Sequence, residues 1–319
     1  MTKEPFHRQA EFIERAILMR DEKSPEFHEI GFWARVWVQA SLPHSNPGKV
    51  NVWGRENGAF SLTVQPGIDI VDGREVNFGI PYGTIPRLMM CWMCTEAVRT
   101  QSPKLYLGES LAEFMSSVGI GSATGGRWGS ITRVKEQLKR LFEARISYRW
   151  RGGKEGRARK SIEITSEEVL WWSEEEPSQN SLFRSYIVLG DAFFRDIVTN
   201  PIPVKLEALR LLKQSPLALD LYTWLTFRVF RLSEPLAVSW ATLEKQLGAE
   251  YRSTDEFARS CKTHLRKIQL VYPELRVEFP RGRLLIHPSP THVARNRPVD
   301  KSVEKKKLST HKRYRKRVT

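Results

Sequence analysis

The chain has 319 residues, enough for about two domains of ordinary size, each able to bury its own core. Lys and Arg number 51 against 36 Asp and Glu, a formal net charge of +15, which favours an anionic partner without naming it. No apolar run approaches the ~18–20 residues of a membrane-crossing helix, the first residues lack the apolar stretch of a secretory signal, and three cysteines make no disulfide framework, so a reducing cytoplasm without membrane attachment is expected.

Residues 6–20 place Phe12, Ile13, Ala16 and Ile17 on one helical face, which predicts an amphipathic helix. Phe32-Trp-Ala-Arg-Val-Trp-Val reads as a strand, because aromatic and β-branched residues run through it. Residues 51–55 and 59–64 flank Glu56-Asn57-Gly58, and Asn-Gly accepts the positive φ of a hairpin turn. A second short hairpin is expected around Asp72-Gly73. These strands make no domain alone. Residues 1–83 are expected to be a helix and β-hairpin extension packing on the unit that follows, or offering an edge to a partner.

From residue 84 one order of elements is written twice. Residues 85–100 form an apolar helix and 104–107 a short strand. Ser110-Leu-Ala-Glu113 opens another helix, 125–143 is a basic helix, and 146–164 a hairpin. In the second pass 215–230 is the apolar helix, 236–238 the strand and 239–247 the middle helix. Ser253-Thr-Asp-Glu256 is a capping box opening the basic helix, and 275–287 makes the hairpin. That order is the winged-helix order, in which one helix enters the DNA major groove while the hairpin touches phosphates.

The predicted fold is therefore α+β, with two tandem winged-helix domains at residues 84–165 and 185–293. An acidic linker at 166–184 carries Glu167, Glu168, Glu174, Glu175 and Glu176. A basic tail at 294–319, with 11 Lys/Arg against 2 Asp/Glu from residue 295 onward, is expected to be disordered and to contact nucleic acid without sequence preference. A solubilising tail is the competing explanation.

In the first basic helix Ile131, Val134, Leu138, Leu141 and Phe142 cluster on one side, while Thr132, Arg133, Glu136 and Arg140 point the other way. Arg127, Trp128 and Ser130 sit at its start, the end that approaches base edges in this docking mode. Arginine suits guanine because its planar guanidinium reaches O6 and N7 together. The wing Arg151-Gly-Gly-Lys154-Glu-Gly-Arg157-Ala-Arg159-Lys160 is basic and Gly-rich, able to follow a phosphate backbone closely. In the second basic helix Phe257, Cys261, Leu265 and Ile268 form the buried stripe, and Arg259, Lys262, Thr263 and Arg266 face outward. Its wing adds Arg281 and Arg283. An ordinary solvated face competes with each assignment, more strongly in the second because Asp255, Glu274 and Glu278 lie nearby.

Catalytic signatures are sparse. Gly119-Ile-Gly121-Ser-Ala-Thr-Gly-Gly126 is followed by no Lys-Ser/Thr and preceded by no buried strand, so it reads as a turn between helices rather than a nucleotide loop. Cys91 and Cys94 lie on an apolar helix with no second Cys or His pair at zinc spacing, and read as buried thiols. No two of the seven histidines are two residues apart, as a nicking centre with a His-hydrophobic-His metal pair requires, and Tyr222 reads as core. No metal, cofactor or enzymatic activity is expected.

The segment Ser185-Tyr-Ile-Val-Leu-Gly-Asp-Ala-Phe-Phe-Arg-Asp-Ile-Val-Thr-Asn-Pro-Ile-Pro-Val204 resembles the C-terminal region of RepA-type plasmid replication initiators. The likeness continues through Leu206-Glu-Ala-Leu-Arg-Leu-Leu-Lys-Gln-Ser-Pro-Leu-Ala-Leu-Asp-Leu-Tyr-Thr-Trp-Leu-Thr-Phe-Arg228, Trp240, Gln246-Leu-Gly248-Ala-Glu-Tyr251 and Val271-Tyr-Pro273. Upstream, Ile80-Pro-Tyr-Gly-Thr-Ile-Pro-Arg87-Leu and Thr95-Glu-Ala-Val-Arg99 also fit, so the match spans residues 79–293. Leu247 stands where the family's motif has Phe. The resemblance implies a bacterial cytoplasmic protein that binds repeated duplex sites at an origin, promotes local opening and helps load host replication proteins, including the replicative helicase. It also implies, by analogy with related initiators, a homodimer that represses transcription and a monomer that initiates. A winged-helix transcriptional repressor and an origin-nicking enzyme are the rival readings.

Overall fold

The structure, a computed structural model, describes residues 4–19, 29–120, 124, 129–152, 156–170, 185–248 and 251–294. It opens with helix α1 (Glu4–Leu18), strand β1 (Ile30–Trp33) and a single turn, α2 (Val36–Gln39). Two hairpins follow, β2 (Trp53–Asn57) with β3 (Phe60–Gln65), and β4 (Gly67–Val71) with β5 (Arg74–Gly79). Asp72 and Gly73 both have positive φ, 51° and 72°, the conformation a two-residue hairpin turn requires.

The first pass comprises α3 (Thr84–Thr100), β6 (Lys104–Tyr106), α4 (Leu111–Val118), α5 (Ser130–Glu143), β7 (Arg145–Gly152) and β8 (Gly156–Glu163). A connecting stretch supplies β9 (Thr165–Val169), β10 (Tyr186–Leu189), α6 (Asp191–Thr199), β11 (Ile202–Lys205) and α7 (Leu206–Leu212). The second pass is α8 (Pro216–Phe230), β12 (Leu236–Ser239), α9 (Trp240–Leu247), α10 (Thr254–Val271), β13 (Val277–Glu278) and β14 (Arg283–Ile286). Serine hydroxyls start four of these helices by accepting from a backbone N–H of the first turn: Ser110 from Glu113, Ser215 from Ala218, Ser239 from Thr242 and Ser253 from Glu256. Each such cap stabilises its helix by ~1 kcal/mol. Among the described residues, no helix is long and apolar enough to cross a membrane.

The two passes share an element order but not a sheet. In the second, β14 lies between β12 and β13, so the strand ahead of the middle helix joins the hairpin directly. In the first, β6 pairs instead with β10, which pairs with β9, while the hairpin β7–β8 continues a four-stranded sheet of order β2-β3-β7-β8. The early hairpin β2–β3 thus extends the sheet of the hairpin β7–β8. The expected linker at 166–184 begins as strand: Glu167 and Glu168 lie in β9, and Glu167 accepts a 2.6 Å hydrogen bond from the Tyr186 hydroxyl. Its charges mark the exposed edge of a sheet. Glu174, Glu175 and Glu176 fall outside the described residues, as does the tail from residue 295.

Three further expectations are corrected. The run from Phe32 to Val38 is not one strand: it ends at Trp33, and Val36–Gln39 turns helical. Trp33, Ala34, Val36, Trp37 and Val38 are all buried, so there is no polar face whose period could tell strand from helix. The basic helix begins at Ser130 rather than residue 125, after an extended Gly129. The N-terminal extension does not pack on the first pass alone. Strand β1 pairs with β11, Ile30 opposite Lys205 through Trp33 opposite Ile202, and α1 lies on α7 and α10 with Arg15 2.6 Å from the buried Glu207 carboxylate.

The apolar side chains of both passes form one continuous core. At its centre Arg87 of α3 meets Asp220 of α8, with Nε to Oδ1 and Nη2 to Oδ2 both 2.8 Å. The guanidinium also donates to the carbonyls of Leu42, Pro43 and Gly83, and His44 Nε2 lies 2.8 Å from Asp220 Oδ2. Burial alone raises a carboxyl, but here the Arg87 charge and the bonds from His44 and Arg87 overcome it and hold Asp220 below the usual range. Burial keeps His44 below the usual imidazole value despite its acidic partner.

Candidate nucleic-acid interface

Helix α5 buries Ile131, Val134, Leu138, Leu141 and Phe142, together with Gln137, whose Oε1 accepts from the Tyr82 N–H at 2.9 Å. The opposite face is only half open. Hairpin β4–β5 crosses its C-terminal part, and two glycines permit the approach. A Cβ on Gly67 would lie 2.3 Å from the Cβ of Glu143, and one on Gly79, at φ +82°, would lie 2.7 Å from Nη1 of Arg140. Arg140 is therefore not an outward base reader. Its guanidinium donates to Ile80 O and to Glu136, lies 5.2 Å from the Tyr82 ring, and is only 13% exposed. Lys139 is drawn over the Phe78 ring at 4.3 Å. Thr132, Arg133 and Glu136, in the N-terminal half of the helix, are exposed and lie clear of that hairpin.

Ser130 is tied to Thr124, accepting from its N–H at 2.9 Å while its own N–H reaches Thr124 Oγ1 at 3.0 Å. It anchors the helix start to the preceding loop. Arg127 and Lys154 lie outside the described residues.

Arginines recur along the hairpin β7–β8. Strand register sets Arg149 opposite Arg159 and Arg151 opposite Arg157, next to the glycine pair Gly152 and Gly156. Arg149, Arg151 and Arg159 are exposed. Like charges directly opposite on a sheet repel, so the placement of Arg149 against Arg159 is unfavourable without an anion to offset it. Lys160 is opposite Tyr148, on the other face of the sheet. Arg149 was not among the sequence-derived candidates, although the alternation Arg145-Ile-Ser-Tyr-Arg149-Trp-Arg151 sets it on the same side as Arg151.

In the second pass Arg259, Lys262, Thr263 and Arg266 share about 100° of α10, opposite the buried Phe257, Cys261, Leu265 and Ile268. Arg259, Thr263 and Arg266 are exposed. Lys262 lies 5.9 Å above the Trp240 ring, and Trp240 packs in turn against Phe279 at 6.4 Å, so one buried indole holds the hairpin beside the helix. Arg281 and Arg283 are both exposed on that hairpin. Helix α1 leaves this face uncovered, lying along the edge that carries His264 and Lys267.

No group of His, Cys, Asp or Glu among the described residues has metal-binding geometry. Burial pushes the Cys91 thiol up to about 12 and raises Cys94 as well, so both are thiols at neutral pH. Tyr222 is fully buried, its hydroxyl accepting from the Lys205 N–H at 3.1 Å and lying 2.8 Å from His292 Nδ1.

A family model described as the plasmid-encoded RepA protein matches residues 80–241, half of the chain. The match starts where the motifs begin and ends before α10. No curated protein matches. Among solved structures, crystals of RctB domains 2 and 3 are similar at 13% identity and a TM-score of 0.47, covering 79% of this chain and 96% of that one. A selenomethionine derivative of the same two domains gives 13% identity, a TM-score of 0.49, and coverage of 80% and 96%. On the family match and the motifs within it, the chain belongs to the family of plasmid-encoded RepA proteins.

Proposed function

We propose that this protein is a plasmid replication initiator that binds repeated duplex DNA sites at an origin through two winged-helix modules, residues 84–165 and 185–293. The carrying observation is the pairing of Arg149 with Arg159 and Arg151 with Arg157 at a glycine-flanked hairpin tip, following the open N-terminal half of α5. Arginines in cross-strand register, as Arg149 with Arg159, are costly alone and favourable against phosphates. Arg133 from α5, and Arg259 and Arg266 from α10, read base edges, while Arg281 and Arg283 repeat the wing's role. The basic tail adds contacts without sequence preference.

Local opening and recruitment of the host helicase are proposed with the support of family membership. Bending or untwisting a duplex costs several kcal/mol and is offset only by additional contacts. Copies arrayed on adjacent repeats supply those contacts, so opening rises steeply with the number of intact repeats. The test is footprinting on DNA flanking the gene, followed by replication of an origin plasmid with host proteins. Protected repeats plus autonomous replication support the reading. Tight binding without replication favours a repressor, and a nicked circle or a covalent protein–DNA adduct overturns the non-enzymatic assignment.

A further inference from the structure

The β2-β3-β7-β8 sheet has a second face, which takes no part in the interface above. There Phe60 lies 5.5 Å from Tyr148 and 6.3 Å from Trp150 between ring centroids. Phe60 is buried, Tyr148 half-buried and Trp150 48% exposed, so the aromatic ladder runs from the core out to solvent. A pocket of about 150 Å³ runs beside it, with Arg35 and Asp196 among its walls. Arg35 also lines a neighbouring pocket of about 260 Å³ that reaches Phe230 and Arg231 at the end of α8. Phe230 is 46% exposed, and both arginines are exposed. The two pockets thus join exposed aromatic surface of the first pass to that of the second through one shared guanidinium.

The chemistry selects an occupant. Tryptophan on a sheet surface with cations nearby stacks a flat, partly anionic polymer, and every nucleobase has a π-face. Duplex DNA keeps those faces inside its own stack, so only unpaired bases can use Trp150. Arg35 and Arg231, with Lys160 opposite Tyr148 on the same face, supply cations for the backbone. Asp196 repels phosphate but accepts from the exocyclic amine of cytosine or adenine, which turns the base rather than the backbone toward it.

We propose that this groove binds single-stranded DNA and stacks an unpaired base on Trp150. The function goes beyond duplex recognition, and either can fail without the other. The experiment compares full-length protein with Trp150→Ala, Trp150→Phe and Arg35→Glu, using one labelled oligonucleotide of mixed sequence as a single strand and, separately, a duplex carrying the footprinted site. Trp150→Ala is expected to weaken single-strand binding about 5- to 150-fold, the range of one lost base–aromatic stack, with duplex affinity unchanged. Trp150→Phe retains most of the affinity, and Arg35→Glu loses it at an exposed position that does not depend on how Trp150→Ala folds. Unchanged single-strand affinity in Arg35→Glu, or equal loss on both probes in Trp150→Ala, overturns the proposal. Wild-type protein that binds the duplex but no single strand overturns this proposal alone; the reverse overturns the duplex reading alone.

Discussion

Replacing Asp220 with Ala strands the Arg87 guanidinium in the centre of the molecule. Arg87 is 1% and Asp220 3% exposed, and two 2.8 Å bonds join them. Removing one partner of such a buried pair costs ~3–5 kcal/mol, against a total stability of ~5–15 kcal/mol for a typical domain. The loss is held to the lower part of that range, because the guanidinium keeps the carbonyls of Leu42, Pro43 and Gly83. Arg87→Met strands the Asp220 charge and also leaves those carbonyls without their donor, so it is expected to cost at least as much. Arg87→Met with Asp220→Leu removes both charges and costs less than the sum of the single changes, with a coupling of ~2 kcal/mol or more. Urea unfolding followed by tryptophan fluorescence and by circular dichroism measures each variant. A lower midpoint at unchanged slope is the expected signature. An Asp220→Ala cost below ~1 kcal/mol, or additive single changes, refutes the assignment of this pair as the tie between the two passes.

Arg133→Ala is expected to weaken specific DNA binding by ~1–3 kcal/mol without changing stability, as are Arg259→Ala and Arg266→Ala, whereas Arg140→Ala lowers the unfolding midpoint instead; anisotropy and urea titration on the same preparations separate the two effects. Deleting residues 295–319 is expected to weaken binding to all DNA alike and to flatten the slope of log affinity against log salt; an unaltered slope rejects a phosphate-neutralising tail. Acid is expected to destabilise the fold before carboxylates titrate. Burial lowers His264 to about 4 and His292 to about 3, and lowers His44 as well. Their unfolded value is ~6.5, so the unfolded chain binds more protons below that pH, and stability that is complete above pH ~6.5 is lost on acidification toward pH 3. A melting midpoint that is flat or rising between pH 7 and pH 5 contradicts this.

The sequence by itself determined most helix starts and the buried faces of the long helices. Serine caps at Ser110, Ser215, Ser239 and Ser253 fix where helices start, because a hydroxyl can satisfy a free N–H only from that one position. The apolar stripes of α5 and α10 show which faces are buried, since their period is that of the helix. Tertiary structure decided what covers the remaining faces. The position of Arg140 on α5 is as outward as that of Arg133, and only the β4–β5 hairpin, docked through Gly67 and Gly79, takes it out of the interface. The pairing of β6 with β10, of β1 with β11, and of Arg87 with Asp220 joins residues 80 to 175 positions apart. Local propensity and periodicity carry no information over such separations. Edge strands and buried charges take whichever partner the packed core brings within hydrogen-bonding distance, and that is settled only when the whole chain condenses.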